Sequence, residues 1–103
     1  MPRAYCVYIM ASRRNGTLYI GATSDLIKRV YEHKTAAVDG FTQKYRVDRL
    51  VWYEQHQSSM GMVTRERQVK EWKRAWKIEL IESLNPTWLD LYGEILGGGV
   101  EGS

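Results

Sequence analysis

Two tyrosines near the start of the chain give the first chemical signal in the sequence. Tyr8 and Tyr19 lie on either side of Asn15-Gly16, a dipeptide typical of a tight β-hairpin turn. Pairing of the flanking segments would bring both phenols to one region of a sheet. Two half-buried sheet aromatics explain the same pattern, and from the hairpin alone that interpretation is the stronger one.

A second candidate group follows on a short predicted helix. Arg29 and His33 are four residues apart and therefore share one helix face. A guanidinium keeps its charge and binds phosphate well, and a nearby imidazole can accept a proton or form a hydrogen bond. The alternative is a solvated helix face, which is more common for such a pair.

Glu66 is the third candidate, because it falls on an apolar line of a later helix. It lies three residues after Val63 and three before Val69. A carboxylate on a core-facing line needs a cation, a metal ion or strong donors to offset its desolvation. Glu66 therefore either lies at the edge of the apolar stripe, facing water, or is held inward for a purpose.

In combination these residues resemble the GIY-YIG nuclease family. The paired motif is Val7-Tyr8-Ile9 and Tyr19-Ile20-Gly21, with Val7 where the family has glycine. Further similar segments follow in the family's order, at residues 21–34, 41–45, 50–54, 65–72 and 85–91. The resemblance spans about residues 4–92 and is to the small stand-alone bacterial type, which has no appended DNA-binding domain.

The resemblance implies a divalent-metal-dependent endonuclease that hydrolyses phosphodiester bonds in DNA, including branched, damaged or single-stranded nucleic acid. Tyr8 and Tyr19 would be the motif tyrosines, and Tyr19 the one that activates the attacking water. Arg29 would bind the scissile phosphate and His33 would assist proton transfer. Glu66 would hold Mg²⁺ or Mn²⁺, with water and phosphate oxygens as the other ligands.

The resemblance also directs attention to residues around this set. Lys44 and Lys70 join Arg29 as expected nucleic-acid-binding residues, although both could equally be solvated lysines. Asn85 either matches a family asparagine near the site or, with Pro86, simply ends a helix. The expected partner is nucleic acid, DNA in the first place. A protein partner would supply specificity, because the sequence contains no zinc-finger or helix-turn-helix signature.

Strands and helices must position these residues, and their order predicts the fold. We expect strands at about 4–10, 17–20 and 49–54, a helix over 26–34 capped by Thr23 or Ser24, and a loop over 35–43. A long helix is predicted from about 62 to 77, and residues 78–84 either prolong it or form a separate one. This order predicts a small α/β (α+β) domain with a three-stranded, largely antiparallel sheet flanked by helices. A single domain is expected over residues 1–92, and a flexible tail over 93–103.

Composition and charge are compatible with this interpretation. The 103 residues allow one domain, and 15 Lys and Arg against 12 Asp and Glu give a formal charge of +3. All 15 basic residues lie in residues 1–77 with seven acidic ones, a charge of +8, whereas residues 78–103 carry −5. Every candidate residue therefore lies in a basic part of the chain, whose field attracts a phosphate backbone.

Several classes of protein are excluded or disfavoured. The single cysteine, Cys6, permits no intrachain disulfide, and two histidines make a multi-imidazole metal cluster improbable. With no apolar run long enough for a membrane span and no secretory leader, we expect a cytoplasmic protein without a membrane partner.

Two alternatives to an active nuclease stay open at this point. One is a non-cleaving nucleic-acid-binding module that retains the nuclease fold. The other is a structural or protein-interaction domain that uses Trp88, Tyr92 and the acidic end. Packing of the last segment against the core explains those two aromatic residues more simply.

Overall fold

The computed structural model describes residues 4–35 and 44–99. The elements are β1 (Tyr5–Ala11), β2 (Leu18–Thr23), α1 (Leu26–Lys34), β3 (Arg49–His56), α2 (Ser59–Glu71), α3 (Arg74–Leu84) and α4 (Tyr92–Glu94), followed by a π-helical turn at Ile95–Gly99. The predicted α+β class, with a three-stranded antiparallel sheet and flanking helices, is confirmed. The predicted loop over 35–43 falls mostly outside the described residues. No helix in the part of the chain that the structure describes is long and apolar enough to cross a membrane.

The sheet is built around the hairpin that the sequence predicts. Its strand order is β2-β1-β3, and β1 pairs antiparallel with both neighbours. Asn15 adopts a positive φ of 58°, and the Gly16 amide donates to the Arg13 carbonyl at 2.9 Å. Asparagine and glycine tolerate this left-handed backbone better than other residues, so the turn chemistry fixes the strand register.

Both faces of the central strand are covered by helices. Tyr8 and its same-face neighbours pack with Leu26 and Val30 of α1. Val7, on the opposite face, packs with Val69 of α2 and Ile81 of α3. Since Val7 is buried away from Tyr8, valine in place of the family glycine leaves the Tyr8 face undisturbed.

Neither of the two predicted N-caps of α1, Thr23 and Ser24, is the N-cap in the structure. Asp25 is the N-cap, and its carboxylate accepts a hydrogen bond from the Lys28 amide at 3.2 Å. The Thr23 hydroxyl accepts from the Asp25 amide at 3.0 Å, so it orients the cap without being the cap. An acidic side chain at this position also suits the positive end of the helix dipole.

The predicted long helix over 62–77 is wrong, because the chain leaves the helical conformation at Trp72 and Lys73. Both residues are extended, with ψ values of 147° and 156°, and α3 begins at Arg74. The Arg74 guanidinium donates to the carbonyls of Asn15 and Gly16 at 2.8 and 2.6 Å. The new helix is thereby tied to the hairpin turn. Residues 78–84 belong to this separate helix.

The first described residues of the predicted tail over 93–103 contact the rest of the domain. Ile95 is fully buried in the cluster that contains Tyr8, and Glu94 accepts a hydrogen bond from the Tyr53 hydroxyl at 3.0 Å. Trp88 is fully buried, and Tyr92 packs against the core. Packing of the last segment therefore explains these aromatic residues. Residues 100–103 of the predicted tail lie outside the described residues.

Candidate active site

The hairpin register places Tyr8 and Tyr19 on the same face of the sheet. Tyr8 is opposite Gly21, and Met10 is opposite Tyr19, so the two tyrosines are diagonal neighbours. Their ring centroids are 6.4 Å apart, with an angle of 33° between the ring planes. The predicted convergence of the two phenols is therefore found in the structure, although the pair is diagonal and not directly opposed.

Helix α1 adds His33 to the tyrosine pair. Its ring is 5.0 Å from the Tyr19 ring and 5.7 Å from the Tyr8 ring, between centroids, and only 4% of the residue is exposed. His33 Nε2 and the Tyr8 hydroxyl are hydrogen-bonded at 3.1 Å inside the protein. We call Tyr8, Tyr19 and His33 the aromatic triad. Buried contacts between β1, β2 and α1 hold these three rings in place.

Tyr8 is held as a neutral phenol. Burial raises its pKa well above the usual value, and the charges of Tyr19 and Glu66 act in the same direction. The charge of Arg29 and a hydrogen bond from it act the other way, without cancelling the effect of burial. Tyr8 therefore keeps its proton near neutral pH.

Arg29 lies one helical turn before His33, beside the triad. Its side chain is 43% exposed, and its Nη1 is 3.4 Å from Glu32 Oε1. An ion pair of this length and exposure holds a guanidinium only weakly. Arg29 is thus anchored on a packed helix while its charged group is accessible to an anion in solution.

Glu66 approaches the triad from α2. Its side chain is 20% exposed, and its Oε2 lies 3.0 Å from Lys70 Nζ. The charge of Glu66 also contributes to raising the pKa of Tyr8. Within residues 4–35 and 44–99, no group of three or more His, Cys, Asp or Glu side chains is arranged to hold a metal ion.

The two predicted lysines have different surroundings. Lys70 is exposed on α2 and forms the ion pair with Glu66, at the edge of the site. Lys44 is exposed, and its Nζ lies 5.4 Å from the centroid of the Tyr45 ring. The structure brings Lys70 to the site through Glu66, whereas the contact of Lys44 is with Tyr45.

Asn85 has a structural role. Its side-chain amide donates to the carbonyls of Val51 and Leu89 at 3.0 and 2.9 Å, and its oxygen accepts from the Leu89 amide at 3.0 Å. Asn85 is buried, and the polar atoms of its side chain form hydrogen bonds with backbone groups. It links the end of α3 to β3, so the helix-terminating interpretation is the one that the structure supports.

Gly21 belongs to one of the motifs noted in the sequence, but its contact with the site was not predicted. A Cβ added at this position would lie 2.5 Å from Cζ of Tyr8, closer than real Cβ atoms approach. The phenol end of Tyr8 therefore lies against the backbone of β2, and only glycine leaves room for it. Glycine inside a predicted strand is a known signal of such close approach, and it could have identified this contact.

Comparison with known proteins identifies the family of this chain. A model of a family described as the GIY-YIG catalytic domain matches residues 4–79. The chain belongs to the GIY-YIG family. This membership places it in a nuclease family, for which nucleic acid is the partner class that the domain suggests.

Two relatives of this GIY-YIG chain are similar over most of its length. A UPF0213 protein of Syntrophus aciditrophicus (strain SB) is 37% identical over 81 residues, which cover 78% of this chain and 91% of that protein. The solution NMR structure of a UPF0213 protein from Bacillus halodurans has 26% sequence identity and a TM-score of 0.49. That similarity covers 77% of this chain and 83% of the other. The Syntrophus aciditrophicus relative agrees with a small single-domain protein, because the match covers 91% of it.

Proposed function

We propose that this chain is an endonuclease that hydrolyses phosphodiester bonds in DNA, including branched, damaged or single-stranded forms, with a divalent cation. The observation that carries the proposal is the convergence of the aromatic triad with Arg29 and Glu66. A chain with only a structural task has no need for an accessible guanidinium and a half-buried carboxylate beside a hydrogen-bonded tyrosine and histidine. The basic character of residues 1–77 supports a nucleic-acid substrate.

The residues present fit a hard divalent cation. Glu66 offers carboxylate oxygens in a half-buried position, as the sole acidic group proposed for the site. Mg²⁺ retains much of its hydration and is commonly held by one or two carboxylates together with substrate phosphate oxygens. Bound there, Mg²⁺ or Mn²⁺ would neutralise phosphate charge and make a coordinated water more acidic. We propose Glu66 as its ligand in this chain.

Arg29 is proposed to bind the scissile phosphate. Its guanidinium is permanently charged and can donate two parallel hydrogen bonds to phosphate oxygens. The guanidinium has only a weak contact with Glu32 and also donates to Tyr8, so it lies beside the triad with further donors available to an incoming anion. As negative charge grows on the phosphate in the transition state, a preorganised donor of this kind stabilises it.

We propose that the three residues of the triad have different roles in proton transfer. Tyr8 keeps its proton and fixes the orientation of His33 through their hydrogen bond. Tyr19 is less buried than Tyr8 and is the phenol proposed to accept the proton of the attacking water. Since an ordinary tyrosine has a pKa of about 10, Tyr19 depends on nearby positive charge to act as a base. His33 contacts both phenols and is proposed to assist the transfer.

A second candidate function follows from the pairing of Glu66 with Lys70. An ammonium 3.0 Å from Oε2 supplies positive charge to Glu66 without a metal ion. In a module that binds nucleic acid without cutting it, Lys70 could balance the charge of Glu66 in place of a metal ion. The two functions differ in one respect, because only the nuclease releases shortened strands.

The proposed function is tested with labelled single-stranded, duplex, flapped and branched DNA, each incubated with and without Mg²⁺ or Mn²⁺. We expect cation-dependent cleavage of at least one substrate by the wild-type chain and none by Arg29→Ala. Salt-sensitive binding with no cleavage under either cation would support the binding module instead. A panel of the same structures in RNA shows whether the substrate class is DNA.

A further inference from the structure

We propose that a groove beside α3 binds an unpaired base of the nucleic-acid strand, at a distance from the aromatic triad. This inference rests on the function proposed above, because it assumes a nucleic-acid substrate. The groove has a volume of about 380 Å³. Its lining consists of Trp72, Trp76, Glu79, Leu80 and Ser83. We call it the tryptophan groove; it includes none of the residues assigned to the candidate active site.

The aromatic wall of this groove is accessible from solvent. Trp76 is 50% exposed, and its ring centroid lies 6.2 Å from that of Trp72, edge to face. The other two tryptophans, Trp52 and Trp88, are buried in the core at 1% and 0% exposure. An exposed indole face stacks on nucleic-acid bases of any sequence, because every base has a π-face.

Positive charge around the rings favours nucleic acid over an apolar peptide as the occupant. Lys73 Nζ lies 4.8 Å from the centroid of Trp76. The guanidinium carbon of Arg65 lies 5.2 Å from the centroid of Trp72, and this guanidinium is also paired with Glu54 at 3.0 Å, so Lys73 supplies most of the available charge. Cations interleaved with aromatic rings are typical of surfaces that bind single strands, where they neutralise the phosphates between stacked bases. An apolar peptide would gain nothing from these charges.

Basic side chains also connect the groove with the candidate active site. Lys70 contacts Glu66 at 3.0 Å, and the Lys77 ammonium donates to the Lys70 carbonyl at 3.1 Å. A strand whose phosphate binds near Glu66 would therefore follow positive charge from α2 toward Trp76 on α3. This continuity favours a segment of the same substrate over an unrelated ligand.

The polar groups of the groove favour a base over a phosphate. Glu79 contributes a carboxylate to the lining, which repels phosphate oxygens but can accept a hydrogen bond from the amino group of a base. Ser83 contributes a hydroxyl, which donates to the Leu80 carbonyl at 2.7 Å and retains acceptor capacity. The geometry thus points to a base in the groove, with its phosphates near Lys73.

The test measures binding without cleavage, by fluorescence anisotropy of labelled strands in EDTA. One strand carries ordinary bases, and a second of equal length carries abasic sites. We expect Trp76→Ala to weaken binding of the base-bearing strand about tenfold and to leave binding of the abasic strand unchanged. Trp76→Phe, which keeps a ring, should retain most of the affinity. Leu89→Ala, at a residue 64% exposed, is the matched control and should bind like the wild type.

Each of the following results would overturn the inference. Equal binding of the base-bearing strand by wild type and Trp76→Ala excludes base stacking in the groove. Loss of self-association in light scattering by Trp76→Ala, with strand binding unchanged, would show a protein contact instead. A wild-type chain that binds no strand in EDTA contradicts the groove, whereas the proposed function is contradicted only by absence of cleavage with Mg²⁺ or Mn²⁺. Mg²⁺-dependent cleavage combined with base-independent binding contradicts the groove alone.

Discussion

The hydroxyl of Tyr8 and Nε2 of His33 lie 3.1 Å apart and form a buried hydrogen bond between the central strand and α1. This bond fixes the helix that carries Arg29 relative to the sheet that carries Tyr19. An unpaired buried polar atom costs about 1–3 kcal/mol, so breaking this bond is unfavourable. The hydrogen bond thus holds β1 and α1 together, and the proposed chemistry depends on their relative position.

Gly21→Ala should damage both stability and the candidate site. The added methyl group would overlap the Tyr8 ring, and overpacking of this kind typically costs about 1–3 kcal/mol. The displaced phenol would also lose its alignment with His33, so cleavage should fall. Urea unfolding and cleavage assays on the same preparation measure the two effects.

Gly93→Ala is the matched control for that substitution. No atom lies within 4 Å of a Cβ added at Gly93, so this variant should unfold and cleave like the wild type. Wild-type stability in Gly21→Ala would mean that Tyr8 has more room than the structure gives it.

Arg29→Lys should retain the fold but lose most cleavage. Lysine keeps the charge but not the planar pair of donors, and loss of one preorganised donor costs about 100-fold to 1,000-fold in rate. Arg29 is 43% exposed, its ion pair with Glu32 is weak, and lysine keeps the positive charge beside Tyr8, so the free energy of unfolding should change little. Single-turnover cleavage and circular dichroism provide the measurements.

Lys28→Ala, at the exposed neighbouring position, serves as the control and should cleave normally. If Arg29→Lys and Lys28→Ala cleave equally well, Arg29 does not bind the scissile phosphate through paired hydrogen bonds.

Much of the site could be predicted from the sequence, because the residues concerned are close to one another along the chain. The turn at Asn15-Gly16 determines which residues of β1 and β2 are neighbours, and helical periodicity places Arg29 and His33 on one face of α1. The hydrogen bond between Tyr8 and His33 was not predictable in this way, because it depends on how α1 packs against the sheet. The close approach of Tyr8 to Gly21 depends on the same packing.

Alkaline pH should destabilise the fold through its buried phenols. Burial, followed by the hydrogen bond to Glu94 and its charge, raises the pKa of Tyr53 from 10.0 to about 12. The folded state then favours the protonated phenol, so this contribution is complete below pH 10 and is lost as the pH rises through about 12. Tyr53→Phe should therefore show a smaller loss of unfolding free energy between about pH 8 and pH 12.

Urea unfolding at several pH values measures this difference, with Tyr31→Phe as a control at a tyrosine that is 57% exposed. The same pH profile for Tyr53→Phe and wild type would contradict the assigned role of Tyr53. The raised pKa of Tyr8 adds to the alkaline loss in the same direction.

Arg74→Ala should loosen the hairpin turn. The guanidinium donates to the carbonyls of Asn15 and Gly16, and loss of such bonds at a partly exposed site should cost about 1 kcal/mol. Faster amide exchange is expected at the turn, with little change in α1. Arg67→Ala, at an exposed position of α2, should leave exchange unchanged. Equal protection of the turn in both variants would contradict an anchoring role for Arg74.

The break between α2 and α3 was not predicted from the sequence. No glycine or proline marks Trp72 and Lys73, and both are compatible with a helix. The break is instead associated with contacts distant in sequence, namely those of Arg74 with the hairpin turn. The same break places Trp72 and Trp76 against one another and forms the tryptophan groove, which the helical pattern did not indicate.

The decisive measurement is Mg²⁺-dependent single-turnover cleavage by Glu66→Gln beside Glu71→Gln. Both substitutions remove one negative charge from α2, but Glu71 is exposed and is not part of the candidate site. We predict that Glu71→Gln cleaves like the wild type, whereas Glu66→Gln remains folded and produces no Mg²⁺-dependent product. Cleavage by purified Glu66→Gln at the wild-type rate, with the same Mg²⁺ dependence, would contradict the proposed role of Glu66 and the mechanism built on it.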